Sequence, residues 1–254
     1  MSDTSHIPFR DVPYLPQKLA VERRDDGVIL LDNGQPLKDH PPHMLWPLKH
    51  WASEAPDRVW LAQRDPVEPE KEGWQTVTYA AAWQRVQAIA QGFLNADVQA
   101  PVMILSRNTI DHALVMYGAM LASLPVVPVT PAYALISQDF ARLNYVDQLI
   151  EPHVIYVEDG QEYQRGLDGM TVGDRLVLYS RNAPRGYASQ SRDEVAVEGG
   201  NSVAEAYDRL KPETIAKFML TSGSTGEPKA VINTHGMIAA NAKMLRSVWD
   251  EKRL

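Results

Sequence analysis

Cysteine is absent from the 254 residues. That excludes disulfides, thiolate nucleophiles and cysteine–zinc sites together, and it is consistent with a reducing compartment. A basic excess is also missing: 25 Lys and Arg stand against 32 Asp and Glu, a formal net charge of −7. No cluster of lysine and arginine breaks that balance, so no nucleic-acid partner is expected. Long apolar runs are missing too. Residues 1–20 carry acids and no uninterrupted apolar core, which excludes a secretory signal there. The most apolar stretch, residues 113–129, holds Gly118, Ser123, Pro125 and Pro128. It reads as a helix followed by a strand, not as a membrane span. A cytoplasmic protein with no membrane span is the expectation.

What is present is the makeup of an ordinary globular protein, 44% hydrophobic and 22% charged. Residues 28–37 (VILLDNGQPL) read as a strand entering an Asn-Gly hairpin turn. A short helix then presents Leu48, Trp51 and Ala52 on one face and ends before Pro56. Two strands, 60–63 and 75–78, flank a charged, proline-interrupted turn. Asp65, Glu68, Glu70 and Glu72 gather in that turn with Lys71 among them, which reads as a solvated face rather than a paired-carboxylate site.

From Thr78 the pattern becomes regular. Thr78 can cap a helix with Ala82, Val86, Ile89, Ala90, Phe93 and Leu94 on its apolar face. A strand over 102–105, a helix after Asn108 or Thr109, and a strand over 126–129 form a βαβ unit, hence a parallel pair. Residues 137–150 predict a third amphipathic helix and 153–157 a third strand, closed by Asp159-Gly160. The fold class is therefore α/β, a doubly wound and mostly parallel sheet with flanking helices. Residues 1–77 are expected to be an extended, hairpin and short-helix segment packing on an α/β core over 78–254. Within 160–202, residues 176–179 read as a strand and the polar stretch RNAPRGYASQSRDE as an exposed, irregular loop. Residues 202–210 read as a short helix.

Near the end stands LTSGSTGEPKAVINTHGM, residues 220–237. Strands over 215–220 and 230–233 flank its polar part, and a helix follows His235-Gly236. The Walker pattern fails, because Pro228-Lys229-Ala230 stands where Gly-Lys and a hydroxylic residue are needed. The GxGxxG fingerprint fails as well, with only Gly223 and Gly226 present. The chemistry is nonetheless that of a phosphate grip. Two glycines allow several backbone N–H groups to converge on an anion. Thr221, Ser222, Ser224 and Thr225 add hydroxyl donors, and Lys229 adds a compact positive charge.

TSGSTGEPKAV resembles the phosphate-loop signature of the adenylate-forming, AMP-binding enzymes, which include acyl-CoA synthetases, firefly luciferases and peptide-synthetase adenylation domains. LKHWASEAPDRVWLAQRD, TVTYAAAWQRVQAIAQGFL and VMILSRNTIDHALVMYGAMLASLPVVPVTPAY are similar to the N-terminal part of that family, in its usual order. SRNTIDHAL and VTPAYALISQDFARL look closest to feruloyl-CoA synthetase-like acyl-CoA ligases.

The resemblance implies a two-step reaction: a carboxylate, here a ferulate-like aryl acid, attacks the α-phosphate of ATP, and coenzyme A then displaces AMP. It implies that Thr221, Ser222, Gly223, Ser224, Thr225, Gly226 and Lys229 hold the β- and γ-phosphates. Mg²⁺ would bridge phosphate oxygens, and no protein metal ligand is assigned. ATP, coenzyme A and the acid are the expected small-molecule partners. The family's adenine-binding, ribose-binding and C-terminal motifs do not occur in these residues. The chain is therefore expected to be the N-terminal part of a larger enzyme, inactive when isolated from its C-terminal part. The alternatives are a non-catalytic ATP- or partner-binding module and a phosphotransferase, the latter disfavoured by the failed Walker pattern.

Other residues draw blander expectations. His235 is expected to make a helix-entry hydrogen bond, and His40 and His43 to be loop residues without a third ligand for zinc. Asp111 and His112, adjacent on a helix, are not a catalytic dyad. Met116, Tyr117 and Met120 are expected in the core rather than around an aryl-acid pocket.

Overall fold

In this computed structural model the chain is described over residues 19–34, 36–65, 73–222 and 226–248, with the backbone alone at Ser222. The chain begins with an antiparallel pair, β1 (Ala20–Arg23) and β2 (Ile29–Asp32), in which Ala20 lies opposite Asp32. Their turn is made by Asp25, Asp26 and Gly27, the last at φ +83°. β2 does run into a bend at Asn33-Gly34, where the Gly34 N–H donates to Asp32 Oδ1 at 3.0 Å and Gly34 adopts φ +64°, but the expected hairpin there is corrected: the hairpin is made at the other end of β2. Among the described residues, Asp25-Asp26-Gly27 has a strand on each side and Asn33-Gly34 does not.

Next come α1 (Trp46–Glu54), with Leu48 buried, and the antiparallel pair β3 (Val59–Gln63) and β4 (Gln75–Thr78). Most of the charged turn between these strands, with Glu68, Glu70, Lys71 and Glu72, lies outside the described residues. Thr78 starts α2 (Tyr79–Asn95) as expected, its side chain accepting the Ala81 N–H at 3.3 Å. Such a cap contributes about 1 kcal/mol. β5 (Val102–Leu105), α3 (Ile110–Leu121) and β6 (Val126–Val129) are the predicted βαβ unit, with Thr109 as the cap of α3.

The helix expected over 137–150 begins late. A single turn, α4 (Ala132–Leu135), comes first, and α5 (Ala141–Ile150) starts only after Phe140, at φ +54°. Ser137 and Asp139 side chains accept the N–H groups of Phe140 and Ala141 at 3.0 and 3.1 Å. These bonds close a turn where the periodicity had implied helix.

The remainder runs β7 (Val154–Asp159), α6 (Gln164–Asp168), β8 (Leu176–Arg181), β9 (Ser189–Ser191), α7 (Arg192–Val195), α8 (Asn201–Arg209), β10 (Ile215–Ser222), β11 (Pro228–Thr234) and α9 (His235–Arg246). The stretch read as an irregular loop is thus partly regular. Ser189–Ser191 pairs with β8, and Ser191 with Glu194 forms a reciprocal capping box that starts α7.

Seven strands form one sheet in the order β11-β10-β6-β5-β7-β8-β9. All neighbours are parallel except the hairpin of β10 and β11. Alternation along the central strands splits the core between two faces. Val102, Ile104, Val126, Tyr156 and Leu178 pack with Val86 of α2 and Leu114 of α3. Met103, Leu105, Val127, Ile155, Val157 and Val177 pack with Leu143 of α5 and Leu167 of α6. Strands covered on both faces need apolar residues at every position, which is why β5 is buried along its whole length. This is the doubly wound arrangement expected from the sequence. Among the described residues, no helix is long and apolar enough to cross a membrane.

Candidate functional site

Because β10 runs parallel to β6, with Lys217 opposite Val126, its carboxyl end emerges on the same edge as those of β6, β5, β7 and β8. That edge is where open α/β sheets bind ligands. The hairpin holding the candidate phosphate loop leaves from it. Leu220 lies opposite Ala230, Thr221 opposite Lys229, and Ser222 opposite Pro228. Thr221 is exposed at the end of β10, and Lys229 is exposed at the start of β11. The antiparallel register therefore places this hydroxyl residue and this ammonium residue on facing positions at the mouth of the loop.

Gly226 adopts φ +91° with open space where a side chain would stand. A left-handed backbone in the exit of the loop is the conformation that glycine permits at little cost. Pro228, buried, follows it into β11. Of the seven sequence-predicted site residues, Thr221, Ser222, Gly226 and Lys229 thus gather at the base of one hairpin. Gly223, Ser224 and Thr225 lie outside the described residues.

A second polar group on the same edge was not singled out from the sequence. The chain passes from β5 to β6 on one side and then crosses back over β5 to β7 on the other, which makes the gap between β5 and β7 the switch point of the sheet. Arg107, just beyond β5, donates its backbone N–H to Glu158 Oε2 at 3.3 Å and its Nη1 to Glu162 Oε2 at 2.7 Å. Arg181 Nη2, at the end of β8, donates to Glu158 Oε1 at 3.2 Å.

Burial pushes the Glu158 carboxyl above the usual carboxylate range, against the pull of these donors. The hydrogen bond from Arg107 holds Glu162 below that range. The Arg107–Glu162 pair separates two clefts. One, of about 500 Å³, is lined by Gln63, Asn108, Thr109 and Arg181; the other, of about 490 Å³, by Pro131, Leu135, Ile136 and Arg165. The signal available in the sequence is position: Arg107, Glu158 and Arg181 stand at or just past the carboxyl ends of apolar strands.

The histidine expectations need correction. His235 is fully buried, and among the described residues neither ring nitrogen has a hydrogen-bond partner. The helix-entry bond is made by Thr234, whose Oγ1 accepts the Met237 N–H at 3.3 Å. His43 is a loop residue, as expected, but it is buried, 4% exposed, and its ring lies 6.1 Å from that of His235. His112 Nδ1 lies 2.7 Å from Ser106 Oγ, while Asp111 pairs with Arg192, so the two neighbours do point apart. Met120 is buried, and Met116 and Tyr117 are partly buried against the same core cluster.

The sequence profile of the AMP-binding enzymes matches residues 48–253, from α1 through the hairpin and beyond. The chain belongs to the AMP-binding enzyme family. Among relatives of this AMP-binding chain, the long-chain-fatty-acid–CoA ligase ACSBG2 of Xenopus laevis is 23% identical over 250 residues, 93% of this chain and 32% of the ligase. YdaB of Bacillus subtilis (strain 168), which bears the name of an acyl–CoA ligase, is 25% identical over 74% of this chain and 36% of its own. The chain thus spans about a third of the length of these curated relatives. The crystal structure of VinN superposes with a TM-score of 0.59 at 23% identity, covering 82% of this chain and 48% of VinN. That likeness supports the fold.

Proposed function

We propose that this AMP-binding chain is the phosphate-gripping N-terminal part of an ATP-dependent, AMP-forming acyl-CoA ligase acting in the cytoplasm. The observation that carries the reading is the hairpin: β10 ends at the carboxyl edge of the sheet, and its register with β11 sets Lys229 opposite Thr221. Thr221, Ser222, Gly223, Ser224, Thr225, Gly226 and Lys229 would hold the β- and γ-phosphates of ATP. A carboxylate oxygen bonds to the α-phosphorus while the bond to the bridging oxygen breaks, and pyrophosphate takes up the negative charge. Donors fixed around that leaving group lower the barrier by stabilising charge as it develops. In the second step the thiolate of coenzyme A attacks the acyl carbon, and AMP leaves.

Mg²⁺ fits as a companion of the polyphosphate. Among the described residues no group of three or more His, Asp or Glu side chains could hold a metal ion. Phosphate oxygens and water would supply the hard oxygen ligands this ion takes, with no protein ligand assigned. When bound, it neutralises phosphate charge. A ferulate-like aryl acid is the proposed acyl substrate, on the likeness of SRNTIDHAL and VTPAYALISQDFARL to feruloyl-CoA synthetase-like ligases.

ATP–pyrophosphate exchange with ferulate and Mg²⁺, run beside Lys229→Ala, tests the proposal. The expected result is no exchange above that control, since the chain spans a third of its relatives' length. Exchange abolished by the substitution would confirm the loop and show that this part adenylates unaided. Exchange that survives the substitution at full rate would contradict the role given to Lys229.

A further inference from the structure

The loop before α1 and the first turn of α9 meet at two histidines. The rings of His43 and His235 stand nearly perpendicular, at 83°, with centroids 6.1 Å apart. His43 is 4% exposed and His235 0%. Nδ1 of His43 and both ring nitrogens of His235 have no hydrogen-bond partner among the described residues. Buried nitrogens without partners are uncommon, and a buried imidazolium without an anion is costly.

Among the described residues, the charged groups that bear on the two rings are cationic. From α1, Lys49 bears on His43 with a like charge. From α8, Tyr207 presents its ring to His43 at 4.7 Å in an edge-to-face contact, and the Lys49 ammonium lies over that same ring at 3.8 Å. The group acting on His235 is His43 itself. The position of the pair matters as much as its chemistry. His235 directly follows β11, its backbone N–H donates to Thr214 O at 3.0 Å, and the Gly236 N–H donates to Pro212 O at 2.8 Å. The exit of the β10–β11 hairpin is therefore fastened on one side by backbone bonds and on the other by the His43 ring.

We propose that His43 and His235 form a proton-sensitive clasp between the segment preceding α1 and the exit of the β10–β11 hairpin, closed while both rings are neutral and opened by protonation. The inference rests on this packing and does not depend on the reaction assigned above. Burial lowers the affinity of both rings for a proton, reinforced by Lys49 at His43 and by His43 at His235, whose value falls to about 4. The sign follows. Above the ordinary histidine value of about 6.5 the clasp contributes its full stability, and it is lost as pH falls toward the lowered values.

The test uses the whole 254-residue chain. Histidine ring resonances are followed by NMR from about pH 7.5 to 3.5, with free histidine as reference, and amide hydrogen exchange is measured at about pH 7.5 and 5. The expected result has two parts. Both rings titrate at least about one unit below free histidine. Intrinsic-rate-corrected exchange across 228–246 rises about tenfold or more between pH 7.5 and 5, and that rise shrinks in His43→Phe, which keeps an aromatic ring against Tyr207 but removes one proton site. A ring that titrates at or above free histidine would overturn the proposal. So would a rise of equal size in His43→Phe. Should that variant fail to fold, the ring titration of the unsubstituted chain decides alone.

Discussion

A Cβ atom built on Gly92 of α2 would lie 2.0 Å from the carbonyl oxygen of Val195, the last residue of α7. The two helices approach closely enough that only a hydrogen fits between them. In an exposed helix, glycine to alanine ordinarily stabilises by about 1 kcal/mol. Here the sign reverses, because backbone must move to admit the methyl group. Gly92→Ala is expected to lose on the order of 1–3 kcal/mol, read as a lower urea midpoint at unchanged m-value. A midpoint equal to or above that of the parent would show that α7 is free to shift.

Arg175 ties α5 to the turn before β8. Its guanidinium donates to both Asp147 oxygens, at 2.5 and 3.2 Å, and its Nε donates to Val172 O at 2.8 Å. The side chains are only 19% and 12% exposed, so this pair is shielded from water and salt. Arg175→Lys removes the fork that makes the contact bidentate. A loss of roughly 1–3 kcal/mol in thermal or urea unfolding is expected, little changed by added salt. A loss that disappears in high salt would place the pair at the surface.

Glu158 supplies a pH dependence of known sign. Burial raises its folded-state value above the ordinary 4.5, so the folded chain takes up a proton at a pH where the unfolded chain has not. Stability due to this group rises as pH falls through the window between those two values, and it is lowest at neutral pH. Glu158→Gln removes the buried charge but keeps one acceptor oxygen, for the Arg107 N–H or for Arg181 and not for both, so the net change at pH 7 should stay within about 1 kcal/mol of the parent in either direction. Relative to the parent it should lose ground toward the lower end of the window, where Glu158 is itself protonated. Unfolding curves at several pH values would reveal it, and a variant less stable by about 3 kcal/mol at pH 7 would mean the charge itself is required there.

Local signals were the legible ones. Thr78 and Thr109 are caps next to apolar periodicity, and both helices start where their side chains allow. The stretch that resembles a phosphate loop is contiguous, so the likeness is legible without the position of its flanking strands in the sheet. What the sequence hid depends on residues brought together from far apart. Arg107, Glu158 and Arg181 stand on three different strand ends and meet only because parallel crossovers align those ends. His43 and His235 come from near the two ends of the described chain, and their burial follows from packing among α1, α8 and α9. The start of α5 was misread for the opposite reason. Ser137 and Asp139 compete locally for backbone N–H groups, which an apolar pattern does not register.

The central claim is that the β10–β11 hairpin grips a polyphosphate through Lys229 and the hydroxyls and amides around it. The most direct test is calorimetric titration of the 254-residue chain with Mg²⁺-pyrophosphate and Mg²⁺-ATP, beside Lys229→Ala. One charge-assisted contact is worth about 1.5–3 kcal/mol, so the substitution should weaken binding by roughly tenfold or more. Equal affinities for the two chains, or no binding by the unsubstituted one, would contradict the account.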